Sequence, residues 1–510
     1  MRPRIHMYYH YRLAIQFVGI SVWLLLSSAG GQQLSAERIV HWPQFRGHNS
    51  SGIVEGKAPP ISFGPGKNEI WNMPVAPGHS SPCIAGDFIF LTTFNRSERL
   101  LSLVCINRHE GKVVWQRDTQ VEEFEKGHPS FNPASSSPAT DGERVVAYFG
   151  SYGLLCYDID GTKLWEVRMP LPRTFGGNAT SPSIQKDKVI LYRGNLVDHY
   201  ILAVNKNTGE EIWRVPQLEK FQMEMACTAC PIISGNNLIF HGARSIQAVD
   251  LDSGKTVWTT KAATTATSTP IIADGEVVVA AWNKMGEPEL RPDVPAYKSL
   301  ISSNDKDKSG NLTRDEWPTL WAFHRPEGQE APMNGGKIRF HQADRNRDGI
   351  FSENEWGLFV KDVDEWRSRY KSHGIMAIKL DSSGIVPKNN IRTLFKRGIP
   401  EIPSPLYYKG KVYFVKNGGI LTCLDLKSGR REWIERTKGG GTHYASPLIA
   451  GNHLYSTSGF GEVSVISLGD FPEIKSINKM GEEVYATPAI VDGIVYIRTH
   501  SKLYAFGNQN

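Results

Sequence analysis

Cysteine is scarce in this chain of 510 residues: there are six, and no two are adjacent. A vicinal disulfide is therefore excluded. One pair, Cys227 and Cys230, has C-x-x-C spacing, but no second such pair completes a zinc site and no histidine follows for haem attachment. Long apolar runs are equally few. The run Leu13 to Leu26 is short for a bilayer span and is followed by polar residues, and no cysteine follows it to carry a lipid anchor. Charge of one sign is lacking too, with 58 Lys and Arg against 52 Asp and Glu. Three of the six net positive charges are Arg2, Arg4 and Arg12, and residues 1–36 hold no acid, so the remainder is near +3. No basic run is interleaved with aromatics, which removes the sequence case for nucleic-acid binding.

What is present at the N-terminus is ordered: arginines, the apolar run, then the small residues Ser27, Ser28, Ala29, Gly30 and Gly31. That order is a secretory signal peptide, spanning 1–29, with cleavage expected after Ala29 or Gly31, or later after Ala36. The expectation is an exported protein, periplasmic or extracellular, with no membrane span once the signal is removed.

The strongest chemical pattern lies mid-chain. Asp305 to Glu316 (DKDKSGNLTRDE) and Asp344 to Glu355 (DRNRDGIFSENE) each place oxygen ligands at the spacing of a calcium-binding EF-hand loop. The first offers Asp305, Asp307, Ser309, the carbonyl of Asn311, Thr313 and Glu316, with Gly310 at the sharp turn. The second offers Asp344, Asn346, Asp348, the carbonyl of Ile350, Ser352 and Glu355, with Gly349 at the turn. The loops lie 39 residues apart, the spacing of a paired unit, so two calcium ions are expected. Leu312 and Phe351, at the eighth position, are the apolar residues through which paired loops touch. Helical spacing appears at Tyr297, Leu300 and Ile301, at Trp317, Leu320 and Trp321, and at Trp356, Phe359, Val360 and Val363. Gly335 and Gly336 leave room for only a short helix around Ile338 and Phe340.

The rest of the chain repeats. A Ser/Thr-Pro step, with Cys in one case, opens a β-rich run at Pro82, Pro138, Pro182, Pro231, Pro270, Pro405, Pro447 and Pro488. The prolines are 39 to 56 residues apart except for one interval of 135, which holds both calcium loops. Within most repeats a tryptophan follows a turn glycine by four: Gly111 and Trp115, Gly161 and Trp165, Gly209 and Trp213, Gly254 and Trp258, Gly429 and Trp433. Short strands at this period are the blades of a β-propeller, and tryptophan at a fixed offset is packing between blades. The fifth repeat has Leu394 and Phe395 where the tryptophan is expected.

The units TGEEIW and SGKTVW resemble the pyrroloquinoline-quinone (PQQ)-type propeller repeat, and WPQFRG at Trp42 to Gly47 resembles the opening motif of a bacterial family of exported propellers. The resemblance implies an all-β, eight-bladed propeller around a funnel; the long interval and its Pro- and Gly-rich flanks place the small helical EF-hand pair (286–373) as an insertion in the fifth blade, between propeller parts 37–285 and 374–507. Trp71 precedes the first Ser-Pro unit, so its strand is expected to complete the last blade, which begins at Pro488 and ends near Phe506.

Cys105, Cys156 and Cys423 sit nine or ten residues before their tryptophans, where other repeats have Ala203 and Ala248, and read as small core residues. Cys83 occupies another core position, Cys230 replaces the serine before proline, and Cys227 has no explanation in the repeat. The segments before each Ser/Thr-Pro should line one face of the funnel. They carry His79, Asn178, Glu224, Glu401, His443, Tyr444 and Tyr485 as a candidate ligand set. Three functions compete. One is a non-catalytic calcium-bound propeller with a protein or saccharide partner. A second is a PQQ-dependent dehydrogenase of alcohols or sugars, for which no base or quinone ligand is assignable here. The third is an envelope-assembly propeller.

Overall fold

The computed structural model describes residues 40–508 apart from 218, 220, 222–225, 284, 285, 292, 325–334, 369 and 371. The signal peptide expected over 1–29 and Glu224 lie outside the described residues.

Eight sheets, each built on four antiparallel strands and three of them carrying a fifth, form the blades of a propeller. Blade 1 consists of Cys83–Ala85, Phe88–Asn95, Leu100–Asn107 and Lys112–Gln120. Blades 2, 3 and 4 begin at Ala139, Ser183 and Ile232, and blades 5, 6, 7 and 8 at Ile271, Leu406, Leu448 and Ala489. Blade 8 has only three strands from the C-terminal part of the chain. Its outer strand is Glu69–Pro74, paired with Lys502–Gly507 so that Trp71 lies opposite Ala505. Joining distant parts of the chain in one sheet leaves the ring no open seam.

The tryptophans hold neighbouring blades together. Trp71, Trp115, Trp165 and Trp213 lie against the turn glycine of the next blade, Gly111, Gly161, Gly209 and Gly254 respectively. A β-carbon there would meet the indole at 2.6–2.8 Å. The indole N–H groups donate to the carbonyls of Arg108, Ile159, Lys206 and Leu251 at 2.9–3.0 Å. A large apolar surface is thus buried with its one polar atom satisfied. At the blade 5 to blade 6 step Leu394 takes the indole's place against Gly429. The small residues pair directly across from the indoles: Cys105 with Trp115, Cys156 with Trp165, Ala203 with Trp213, Ala248 with Trp258 and Cys423 with Trp433.

A ring of hydrogen bonds encircles the axis. The residue before each repeat proline donates its backbone N–H to the side chain of its counterpart in the next blade. The path runs from Ser81 through Ser137, Ser181, Cys230, Thr269, Ser404, Ser446 and Thr487 and returns to Ser81. Seven of the eight bonds end on oxygen at 2.9–3.0 Å, and the eighth ends on Cys230 Sγ at 3.4 Å.

Residues 40–63 form a strap across one end of this ring. Val40–Trp42 pairs with the first strand of blade 1, and Thr140 of blade 2 donates to the Pro43 carbonyl at 2.8 Å. Asn49 exchanges two hydrogen bonds with the Ile233 backbone of blade 4. Arg46 Nη2 donates to the Pro405 carbonyl at 2.7 Å beside blade 6, and Ile53–Val54 adds a parallel strand to blade 7.

Residues 282–373 run between the second and third strands of blade 5, Glu276–Ala281 and Gly374–Lys379. They contain the three α-helices of the described residues, α1 (Tyr297–Asn304), α2 (Phe340–Ala343) and α3 (Glu353–Ser368). The expected helix at Trp317, Leu320 and Trp321 is not formed: Leu320–His324 is a strand paired with Gly335–Ile338. Pro318 explains the difference, because its ring forces Trp317 out of the helical region, to φ −64° and ψ 119°. The two ends of the segment meet at a buried knot. Asn283 N–H donates to His373 Nδ1 at 3.1 Å, and His373 Nε2 lies 3.2 Å from Glu287 Oε2. Glu287 also accepts the backbone N–H groups of Gly398 and Ile399, on the way into blade 6. No described helix is long and apolar enough to cross a membrane.

Candidate functional site

The strap turns the axial channel into a cup of about 140 Å³, with Phe45 as its floor residue. Its wall has two tiers, each taking one residue from every blade. The lower tier is the hydrogen-bonded ring. The upper tier is the residue two earlier in each blade: His79, Ser135, Ala179, Thr228, Thr267, Ile402, Tyr444 and Tyr485. Extended backbone sends alternate side chains to opposite faces, so the residues one and three before each proline face the axis while those two and four before it face the blades. Ser130, Phe131 and Gly176 complete the lining.

This alternation sorts the candidate set. His79, Tyr444 and Tyr485 line the cup. Asn178 and His443, four before their prolines, are buried away from it. Asn178 Nδ2 donates to Glu125 Oε2 at 3.4 Å, and burial pushes the Glu125 carboxyl up to about 8. His443 Nδ1 lies 3.2 Å from the Gly441 carbonyl, and burial pushes its imidazole down to about 4. Glu401, also four before its proline, is absent from the lining. The reasoning from sequence missed Ser135, Thr228, Thr267 and Ile402, for which the offset of three from each proline was the available signal. Phe45, Ser130 and Phe131 also line the cup and carry no such signal.

The same alternation explains the cysteine pair. Cys230 faces the axis, whereas Cys227 faces the blade, where its Sγ accepts Gly194 N–H at 3.1 Å. Three residues apart on extended backbone they point to opposite faces. All six cysteines are free and buried, and burial pushes the Cys227 thiol up to about 12.

His79, Tyr485 and Tyr444 form an aromatic arc from blades 1, 8 and 7, with ring centroids 4.6 and 4.7 Å apart in edge-to-face pairs. Burial first, then the Arg498 and His500 charges, push the His79 imidazole down to about 3, so it is neutral at physiological pH. Ser135, Thr228 and Thr267, from blades 2, 4 and 5, carry hydroxyls on the rest of the wall; Ser135 Oγ donates to the Asn132 carbonyl at 2.8 Å and Thr228 Oγ1 to the Thr267 carbonyl at 2.6 Å. No Asp, Glu, Lys or Arg lines the cup among the described residues.

The second candidate site is the inserted segment. Carboxylate oxygens of Asp305, Asp307 and Glu316 lie within 4.8 Å of one another, the one acidic cluster of this kind among the described residues. Both candidate loops share a framework. The first-position carboxylate accepts the N–H of the turn glycine, Asp305 from Gly310 at 2.8 Å and Asp344 from Gly349 at 3.2 Å. Those glycines have φ of 80° and 84°, a left-handed turn that a side chain would strain. The twelfth-position carboxylate accepts two backbone N–H groups and one hydroxyl. Glu316 takes them from Lys306 and Thr313, and Glu355 from Arg345 and Ser352. The Thr313 and Lys306 hydrogen bonds hold Glu316 down to about 2. Ser309, Asn311 and Ser352 lie on the loop edges, with Asn311 and Ile350 as the backbone-carbonyl positions. The second loop is less gathered: Asn346 Nδ2 donates to Asp348 Oδ2 at 2.8 Å, which occupies that carboxylate. Leu312 and Phe351 pair in a two-residue antiparallel ladder and are fully buried. Trp317 and Trp356 pack edge-on against Phe351 at 4.8 and 5.7 Å.

Fold and cup together define an eight-bladed propeller of the PQQ-like repeat class. A family model described as outer membrane protein assembly factor BamB matches residues 62–331, more than half of the chain, and the chain belongs to that family. No curated protein matches it. Among solved structures, a europium-containing methanol dehydrogenase is 10% identical, covering 92% of this chain and 98% of that one, with a TM-score of 0.55. The quinohemoprotein alcohol dehydrogenase of Comamonas testosteroni is 12% identical, covering 92% and 81%, with a TM-score of 0.52. The computationally designed Ika8 protein is 9% identical, covering 86% and 99%, with a TM-score of 0.51. At these identities the likeness is one of fold.

The quinone implied by the repeat does not fit the cup's donor set. PQQ carries three carboxylates, and among the described residues the lining offers neither a cation to pair them nor an acid to share a metal with them. The fully buried guanidiniums of Arg46 and Arg498 donate to backbone carbonyls and do not line the cup.

Proposed function

We propose that this protein is an exported, calcium-binding propeller of the BamB type. In this reading it is a binding or scaffold module, with residues 286–373 forming an EF-hand pair that holds calcium. The carrying observation is the framework common to the two loops. Each has a left-handed glycine, a first-position carboxylate on that glycine's N–H, and a twelfth-position glutamate oriented by three donors. The buried Leu312–Phe351 ladder supports pairing of the loops, and the gathered Asp305, Asp307 and Glu316 give the first loop a ready oxygen cage. Calcium offsets two of the three carboxylate charges in each loop and stiffens a segment whose ends meet at the Glu287–His373 knot. Outside the cytoplasm, where calcium is abundant, such loops stay filled and act as structure rather than as a sensor. A quinoprotein dehydrogenase is the weaker reading because the cup lining carries no charge.

Calorimetric calcium titration of the mature protein tests the proposal. Two sites are expected, the first loop the tighter. Glu316→Gln should weaken it about 100-fold and Glu355→Gln should remove the weaker site. The double variant should lose the rise in Tm that calcium gives the parent by mass action. An unaltered titration in the double variant would overturn the assignment.

A further inference from the structure

The cup's lining specifies a ligand more narrowly than its fold does. Its volume of about 140 Å³ is close to the roughly 150 Å³ engineered cavity that takes a single benzene, so it seats part of one six-membered ring, with the remaining substituents in the open mouth. Its walls are unlike one another. His79, Tyr485 and Tyr444 present aromatic surface on one arc, and Ser135, Thr228 and Thr267 carry hydroxyls on the rest of the wall, where Ser135 and Thr228 spend their O–H on the Asn132 and Thr267 carbonyls. A ring with an apolar C–H face and polar edges matches both. Charge narrows the choice further, because no charged partner in the described lining would offset the desolvation of an ion there.

Of the eight buried hydroxyls without a partner among the described residues, one belongs to a residue that lines the cup. Thr267 is 9% exposed, lines the cup, and its Oγ1 has no hydrogen-bond partner. Thr269, two residues on, has its Oγ1 engaged by Cys230 N–H at 3.0 Å. A buried hydroxyl without a partner is destabilising, and one in a cup wall can be satisfied by a group that arrives to fill it. Below it, each hydroxyl of the lower tier holds a backbone N–H at its oxygen and keeps a rotatable O–H and a second lone pair. The cup therefore offers several donors and acceptors at once.

We propose that the cup binds one neutral, polyhydroxylated six-membered ring, the chemistry of a hexopyranose at the end of a saccharide, with its C–H face on the Tyr444 side and a hydroxyl on Thr267. The strap beneath makes the site blind, so the ring enters from the open mouth and any chain attached to it leaves the same way.

The test is calorimetric titration of the full mature protein with D-glucose, D-galactose, N-acetyl-D-glucosamine, D-glucuronate and PQQ. At least one neutral sugar should bind saturably and D-glucuronate at least tenfold more weakly than its neutral counterpart D-glucose. Thr267→Val should weaken binding at least fivefold with Tm unchanged. Ala179→Leu, which fills the cup without emptying any contact, should abolish it. Absence of binding by all three neutral sugars would overturn the proposal. So would glucuronate or PQQ binding as tightly as the best neutral sugar, or affinity unchanged in both variants. Calcium titration of the same samples keeps the two readings apart: sugar binding retained in the Glu316→Gln/Glu355→Gln double variant leaves this proposal standing whatever becomes of the calcium sites.

Discussion

The two tiers of the cup are two residues apart in every blade, yet their chemistry diverges. The lower tier is hydroxyl in seven blades and thiol in one, and each side chain is spent on a neighbour's backbone N–H. The upper tier runs through His, Ser, Ala, Thr, Ile and Tyr. Position on the strand is the same in kind for both tiers, because both face the axis. What differs is obligation: every lower-tier side chain closes a backbone hydrogen bond to the neighbouring blade, whereas in the upper tier Ser135 and Thr228 bond backbone carbonyls and Thr267 Oγ1 bonds none, so that tier is less bound by the fold. Repeat uniformity therefore marks architecture here, and repeat divergence marks the place to look for a ligand.

The sharpest way to break this comparison is the same substitution in both tiers of one blade. Thr269→Val leaves Cys230 N–H buried without an acceptor and is expected to cost about 1–3 kcal/mol, read as a lower denaturation midpoint in urea. Thr267→Val removes a hydroxyl that satisfies nothing and should leave the unliganded protein unchanged or slightly more stable. Equal losses in the two variants would show that the tiers do not differ as described.

A somewhat smaller effect is expected from His79, the one titratable imidazole in the cup wall. Its imidazole is pushed down to about 3 by burial, so the unfolded chain takes up a proton first as pH falls below about 6.5. The stability linked to neutral His79 is thus complete above that pH and is lost progressively toward pH 3. By pH 5 about 1–2 kcal/mol should have gone. His79→Gln should flatten that part of a Tm-against-pH curve, and an unaltered slope would place the proton uptake elsewhere. The smallest expected change is Cys230→Ser, which replaces the ring's one sulfur acceptor at 3.4 Å with oxygen. A gain within about 1 kcal/mol is expected from the better acceptor, measured as a rise in the same urea midpoint.

Much of the architecture was legible in the sequence because it rests on residues that the fold obliges. The Ser/Thr-Pro steps, the turn glycines and the tryptophans each close a contact that recurs from blade to blade. The completion of blade 8 by the strand at Trp71 was legible for the same reason. The cup was only half legible. His79, Tyr444 and Tyr485 stood out as polar or aromatic residues on connecting segments, but so did Asn178 and His443, one position off in the alternation and buried on the other side. Thr267 and Ser135 drew no notice because a lone hydroxyl carries no motif. The strand at Leu320–His324 was read as helix because apolar spacing was weighed above Pro318, whose constraint on Trp317 is local and absolute. The strap was unreadable as such, since nothing in WPQFRG states that Arg46 will meet Pro405.

The closure of the ring has a kinetic consequence. The bond from Thr487 to Ser81 spans 406 residues, and that from Phe63 to Asn478 spans 415. A chain that emerges N-terminus first must therefore carry the outer strand of blade 8 unpaired until nearly the last residue has appeared. Six or seven blades can stack by short-range steps, but the final joint has to await both ends and is paid in loop-closure entropy. The strand Glu69–Pro74 is thus an exposed edge throughout most of assembly. Premature pairing of that edge with another chain, rather than loss of any one blade, is the hazard this topology sets.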